Sequence, residues 1–537
     1  MRKWAAIIIL GLAQFVMVLD GTVMNVSIMT VVNDLGTTVQ AMQLAIATFT
    51  LTMAAFMMTG AGIGDRVGRR RVFVLGLIVY GLGALTTSLA PNFMVLYIGW
   101  SLVEGAGAVL VIPAIAALTA ANYTGRARAL AYGVLGGIAG AAAAAGPLIG
   151  GWVTTSFSWR WVFGAEAIIV AAIILPLVHM IGDSPRRPVR GRFDMLGAAL
   201  SAFAMGAIVL ALVSASSWGL IWPLNPPFEI FGFSPVIPVV LAGILLGWAF
   251  LRWERHLGRT GGSPLLGTDL LDLPVLRAGL GSTTVMYFLV AGTFFILPLY
   301  LQTVLGLDAF DSGIRILPLS IALFVLALLG SRLSARISPR TLVQCGLVIT
   351  IIGVILLIGT LTADLAGARF ATSMALMGAG LGLAFSQLGN VNLSAADTTR
   401  SSEVGGLQGT MQNLGMSLGT ALAGTVLFIG LAATFQTQLA NQPGVNTALQ
   451  TQTETAVAKG IGVVPTSAVE TAARSAGLND ADTRAMVAAY SDAKLQSLRG
   501  ALAIIPIVGI LGLTLTTKLP RRPLGPGEDP PAGTAGA

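Results

Sequence analysis

The chain has 537 residues, of which 55% are hydrophobic and 10% charged. Soluble domains carry about 25% charged residues, so this composition is that of an all-α polytopic membrane protein. A single cysteine, Cys345, excludes a disulfide framework, and His179 and His256 are too few to support a histidine metal centre. The net charge of +8 lies between apolar runs, where it reports topology rather than a nucleic-acid partner.

Fourteen apolar runs are long enough to span a bilayer: 5–31, 42–63, 72–90, 94–119, 129–153, 159–181, 194–217, 235–252, 276–302, 311–330, 340–361, 368–391, 404–431 and 499–518. The first follows Arg2 and Lys3 but is too long for a signal peptide, so it reads as a retained span. One set of connections carries the basic residues: Arg66 and Arg69 to Arg71, Arg126 and Arg128, Arg186 to Arg192, Arg252 to Arg259, Arg332 to Arg340, and Arg400. The alternate connections are poor in Lys and Arg. The positive-inside rule then puts both termini in the cytoplasm of a cell-membrane protein.

The first run holds Val16-Met-Val-Leu-Asp20-Gly-Thr22-Val-Met-Asn25-Val26. Asp20 lies roughly 22 Å in from Ala5, past the middle of a hydrocarbon core about 30 Å thick. A charged side chain there costs roughly 2.5–3.5 kcal/mol. A hydrogen bond to a neighbouring helix is one explanation; carrying a proton or a cation is the other, and depth favours it. After the second run comes Gly60-Ala-Gly62-Ile-Gly64-Asp65-Arg66-Val-Gly68-Arg69-Arg70-Arg71, a tight turn with one acid among arginines. The fourth run carries Ser101-Leu-Val-Glu104-Gly105 and the sixth carries Glu166, roughly 15 Å and 10 Å from their outer ends. No basic residue shares that depth. The fifth run holds Gly146-Pro147-Leu-Ile-Gly150-Gly151, which kinks and allows close packing. Met24, Met29, Met53, Met57 and Met58 with Phe15, Phe49 and Phe56 are read as ordinary packing rather than a pocket.

Two connections are long. Residues 214–234 are rich in Trp, Pro and Phe and suit a membrane interface. Residues 432–497 are polar, with helix-like pieces at 465–474 and 480–498 and a capping-box pairing of Ser467 with Glu470; a small cap or spacer is expected. The tail from Gly525 reads as disordered.

These motifs, in this order, resemble the fourteen-span drug:proton antiporters of the major facilitator superfamily. The Asp65–Arg71 loop resembles its loop signature, and Gly146-Pro147 with Gly150-Gly151 its antiporter signature. Trp159-Arg160-Trp161, Leu297-Pro298 to Gly306, and Glu403 to Gly415 extend the match over nearly the whole chain. The resemblance implies two six-helix bundles (1–190 and 261–520, the second with the extracytoplasmic loop 432–497), two extra spans at 191–260, and a cytoplasmic tail at 521–537. It implies a gating latch at Asp65, Arg66, Gly68, Arg69 and Arg70. It also departs from the pattern. Ser101 and Glu104 stand where arginine and glutamine are usual, Glu166 stands for asparagine, and Ala61, Met29 and Ala335 replace a glycine, a proline and an aspartate.

The expected function is therefore proton-coupled export of amphipathic, often cationic, compounds by alternating access, not enzyme catalysis. Asp20 and Glu104 are expected to face each other and share a proton as an acid pair without an arginine, with Glu166 at comparable depth as a further coupling candidate. Thr22, Asn25, Phe49, Ser101, Gln302, Gln412 and Asn413 are the expected cavity residues. No cofactor, metal or nucleic acid is expected; the partners are small molecules, protons and lipids, and the protein is expected to be a monomer. Export of a lipid or native metabolite, with atypical or no proton coupling, is the alternative. A receptor or scaffold built on the 432–497 loop fits the buried acids poorly.

Overall fold

The computed structural model describes residues 2–123, 125–183, 193–365, 367–396, 400–440, 462–475 and 478–522. The basic run 186–192, the middle of the long loop and the tail from residue 523 lie outside them. Among the described residues, fourteen helices are long and apolar enough to cross a membrane, one for each apolar run. They are α1 (Arg2–Leu35), α2 (Val39–Val67), α3 (Arg69–Ser88), α4 (Phe93–Asn122), α5 (Gly125–Ser156), α6 (Arg160–Met180), α7 (Met195–Trp218), α8 (Val236–Arg259), α9 (Pro274–Thr303), α10 (Ala309–Leu333), α11 (Pro339–Thr360), α12 (Gly367–Ser394), α13 (Ser401–Ala440) and α15 (Asp480–Leu515). A short α14 (Thr466–Ser475) sits in the long loop.

Local chemistry sets the helix starts. Thr38, Asn92, Asp308 and Ser338 each accept a hydrogen bond from a backbone N–H three residues on, satisfying first-turn donors of α2, α4, α10 and α11. Gly68 turns the chain between α2 and α3 with φ +113°, a conformation that only glycine adopts without strain.

Tertiary packing groups the helices. α1 packs on α5, and α3 on α4 and α6; α9 packs on α13 and α15, and α10 and α11 on α12. Two seams join these groups, α2 against α13 and α5 against α10. The first is polar: Gln43 Nε2 donates to the Thr420 and Ala421 carbonyls, and Ser417 Oγ to the Ala47 carbonyl. α7 lies across that seam, with the α8 hairpin partner outside it.

The long loop differs from its expected layout. α13 runs on to Ala440 and α15 begins at Asp480, so both flanks are helical extensions of spans. The Ser467–Glu470 box is not formed: α14 begins at Thr466, and Glu470 pairs with Arg474 at 3.2 Å. Buried Lys494 of α15 clasps the loop, donating to the carbonyls of Thr303 (2.7 Å) and Val464 (3.1 Å) and to Thr466 Oγ1.

Candidate functional site: a central cavity beside a buried acid cage

A cavity of about 2020 Å³ lies between the helix groups. It opens at the ends of α12 and α15, on the face that carries Asp269, Arg400, Arg521 and Arg522. The opposite end is closed. There Gln302 Nε2 donates to the Val26 carbonyl at 2.8 Å, and the Phe310 amide to Thr155 Oγ1 at 3.2 Å. Arg160 pairs with Asp34 there, and Trp159 Nε1 donates to the same carboxylate at 3.0 Å.

The Gly-Pro motif belongs to this closed end. A Cβ on Gly151 would fall 2.5 Å from the Ala309 carbonyl oxygen, and one on Gly313 would fall 2.4 Å from that of Pro147. Gly146 faces Thr22 and Gly150 faces Val23 with no more room. Small residues let α5 approach α1 and α10 backbone to backbone.

Asp20 (α1), Glu104 (α4) and Glu166 (α6) converge behind the cavity wall. One carboxyl oxygen from each lies within 4.8 Å of the other two, and the three residues are 0%, 0% and 2% exposed. Trp100 Nε1 donates to Asp20 Oδ1 at 2.9 Å, and the Tyr80 hydroxyl donates to Glu166 Oε2 at 3.0 Å. Asp20 Oδ2, both Glu104 oxygens and Glu166 Oε1 have no hydrogen-bond partner among the described residues. No described ion pair reaches the cage. Any charge on these acids therefore has to be balanced by bound protons or by a cation. Among the described residues, this is the only cluster of three or more acidic, histidine or cysteine side chains with oxygens placed to hold an ion.

Helix geometry builds the cage. Tyr97–Glu104 winds as a π-helix, as does Ile169–Ile174 just after Glu166, a rare form that is frequent at functional sites. Gly83 and Gly107 bring α3 and α4 into backbone contact; a Cβ on either would fall 2.5 Å from the Glu104 nitrogen or 2.4 Å from that of Tyr80.

One aromatic pair separates the cage from the cavity. Phe49 lines the cavity and stacks on Trp100, with ring centres 4.7 Å apart and planes 6° apart. Thr22, Asn25, Gln412 and Asn413 also line it. Ser101 and Gln302 do not. Ser101 is buried with its hydroxyl on the Ala45 carbonyl at 2.8 Å, between α2 and α4, and Gln302 is the closing contact just described. A side chain satisfied by a neighbouring backbone is held in the helix interface. Of the methionines and phenylalanines set aside as packing, Phe49 and Met53 reach the cavity, and Met17 lines it beside them.

The loop signature folds back on its own half of the chain. Asp65 pairs with Arg69 at 3.0 Å, Arg69 donates to the Ala117 carbonyl and Arg70 to that of Ile181, and Arg66 lies over the Phe193 ring at 5.3 Å. At the cavity mouth, hydrogen bonds from Arg400 hold the Asp269 carboxyl below the usual carboxylate range despite some opposing burial. Sequence reasoning missed Trp100, Tyr80 and Gln43. The aromatics read as core, and only Gln43, an amide within an apolar run, carried a visible signal.

The model of the Major Facilitator Superfamily matches residues 10–253 and 194–420. The chain is 30% identical over 439 residues to the "Probable actinorhodin transporter" of Streptomyces coelicolor, covering 80% of this chain and 73% of that one. It is 29% identical over 431 residues to the "Puromycin resistance protein pur8" of Streptomyces alboniger (79% and 82% covered). It is 26% identical over 430 residues to the "Multidrug resistance protein Stp" of Mycobacterium tuberculosis (80% and 76% covered). The solved structure of a bacterial homolog of the human lysosomal transporter Spinster, inward-facing and unoccupied, shares the fold. Its TM-score is 0.62 at 16% identity, over 96% of this chain and 98% of that one.

Proposed function

Given that this chain belongs to the major facilitator superfamily of membrane transporters, we propose that it is a proton-coupled exporter of amphipathic compounds. Relatives named for resistance to puromycin and to multiple drugs support export as the direction. The arginine asymmetry of the connections supports a cytoplasmic face for both termini, which is the face where the cavity opens. The protein is then inward-open: substrate enters from the cytoplasm, and the α1–α9 and α5–α10 contacts close the outer end.

The observation that carries the proton step is the acid cage, three buried carboxyls with four open oxygens and no basic partner among the described residues. Such a group holds protons in one state and releases them when rocking of the two helix groups changes its surroundings. Proton and substrate occupy separate places. The link between them is the Phe49–Trp100 stack, which touches the cavity on one side and donates to Asp20 on the other.

A second coupling ion deserves a place because three carboxylates around one point also suit a hard cation. Everted vesicles loaded by a pH gradient test both readings with puromycin as substrate. Uptake driven by the gradient in sodium-free buffer, lost on Asp20→Asn, is the expected result. Uptake that survives Asp20→Asn unchanged overturns the role of the cage, and strict dependence on sodium replaces the proton.

A further inference from the structure

Resting on the exporter reading but not on its proton step, we propose that the cavity takes uncharged or anionic polycyclic compounds bearing carbonyl and hydroxyl groups, and disfavours lipophilic cations. Each acid that drew attention as a cation site stands outside the wall. Asp20, Glu104 and Glu166 do not line the cavity, and Phe49 and Trp100 stand in between.

Among the described residues, the charged ones that line it are Asp269, Arg400, Arg521 and Arg522, all at the mouth, three positive against one negative. Asp269 is already engaged by Arg400. A cation entering from this face meets a net positive rim and then a wall without a counter-charge, where the loss of hydration goes uncompensated. Aromatic faces offset only part of that. An anion is drawn in by the same rim.

The interior is built for neutral polar contacts. Asn25, Gln408, Gln412 and Asn413 line it with side-chain amides, and the buried Gln408 Oε1 has no hydrogen-bond partner among the described residues. Amides both donate and accept, which suits carbonyl and hydroxyl groups. Phe49, Tyr287, Phe294, Phe324 and Phe385 supply ring faces. At about 2020 Å³ the cavity exceeds the roughly 300–1,000 Å³ of ordinary drug sites, leaving room for several fused rings.

Tetraphenylborate and tetraphenylphosphonium have one shape and opposite charge. The full-length protein in phosphatidylcholine nanodiscs is titrated with an uncharged hydroxyanthraquinone, which each ion then competes off, so that partition into lipid does not count. The hydroxyanthraquinone should bind, and tetraphenylborate should displace it at least tenfold more effectively than tetraphenylphosphonium. Arg521→Gln with Arg522→Gln should weaken tetraphenylborate at least threefold more than it weakens the uncharged compound. Asn25→Asp, which places a carboxylate on the wall, should reverse the preference. Equal or better displacement by tetraphenylphosphonium in the unaltered protein overturns the charge class, as does failure of the hydroxyanthraquinone to bind. If gradient-driven puromycin export persists in either case, the exporter reading stands without it.

Discussion

Gln302 and Val26 are joined by a 2.8 Å hydrogen bond across the closed end of the cavity, from the last turn of α9 to the middle of the second half of α1. The amide is buried, and the bond links helices from opposite halves of the chain. Gln302→Leu removes the donor and leaves the Val26 carbonyl to its own helix. A net loss of about 1 kcal/mol is expected, which shifts the population away from the closed outer end by roughly fivefold. Spin labels at Thr37 and Leu307 in a Cys345→Ser background should show a larger long-distance fraction by electron–electron resonance. An unchanged distribution would mean that the α5–α10 seam alone holds this end shut.

Glycines of α5 divide into two kinds. Gly151 is packed against the backbone of α10, whereas Gly136 and Gly137 have open space where a Cβ would stand. Gly151→Ala and Gly313→Ala are expected to lower stability by about 1–3 kcal/mol through overpacking, read as a fall in melting temperature and loss of export. Gly136→Ala is expected to be neutral or to stabilise by up to about 1 kcal/mol through helix propensity. If all three behave alike, the close approach is not what these glycines provide.

Trp100 is placed to connect the cavity with the cage. Trp100→Phe keeps a ring against Phe49 and removes the only side-chain donor to Asp20 among the described residues. Substrate binding is expected to stay within about threefold, since Trp100 is 1% exposed and does not line the cavity. Proton release on binding, measured with a pH dye in weak buffer, is expected to fall by at least fivefold, because a hydrogen bond to a charged carboxylate is roughly twice as strong as one to a neutral acceptor. Full proton release in the variant would disconnect the stack from coupling.

The mouth has its own pH signature. The folded protein holds Asp269 below its ordinary range through Arg400, so the pair contributes stability above the unfolded value near pH 3.9 and loses it as the pH falls through the folded one. Asp269 is largely exposed, which keeps the pair within the range of about 0–1 kcal/mol. The melting temperatures of wild type and Arg400→Gln should therefore differ by a constant small amount from pH 7 to pH 5 and converge below pH 4. A gap that persists into acid would show that the effect does not come from the ion pairs of Arg400.

The fourteen spans were legible in the sequence because each must be apolar over a fixed length to cross a bilayer, and each apolar run became one helix. Asp20 stood out for the same reason: an acid at that depth violates the pattern around it. The deep placement of Glu104 and Glu166 was equally visible. The limit of such reasoning shows at Ser101 and Gln302. Both are polar residues in spans, and both turned out to satisfy a neighbouring backbone rather than face the cavity. A one-dimensional pattern records that a polar group is buried, but not which helix receives it.

Span count, and the acids and glycines that stand out within the spans, could be read from sequence alone, since hydrophobic length and residue size are local properties. Tertiary structure alone decided that the three acids share one cage, that Tyr80 and Trp100 donate into it, and that Phe49 separates it from the cavity. Those relations depend on how α1, α2, α3, α4 and α6 are rotated against one another. That rotation is set by close packing at residues such as Gly83 and Gly107, far apart in the chain from the acids α1 and α6 contribute.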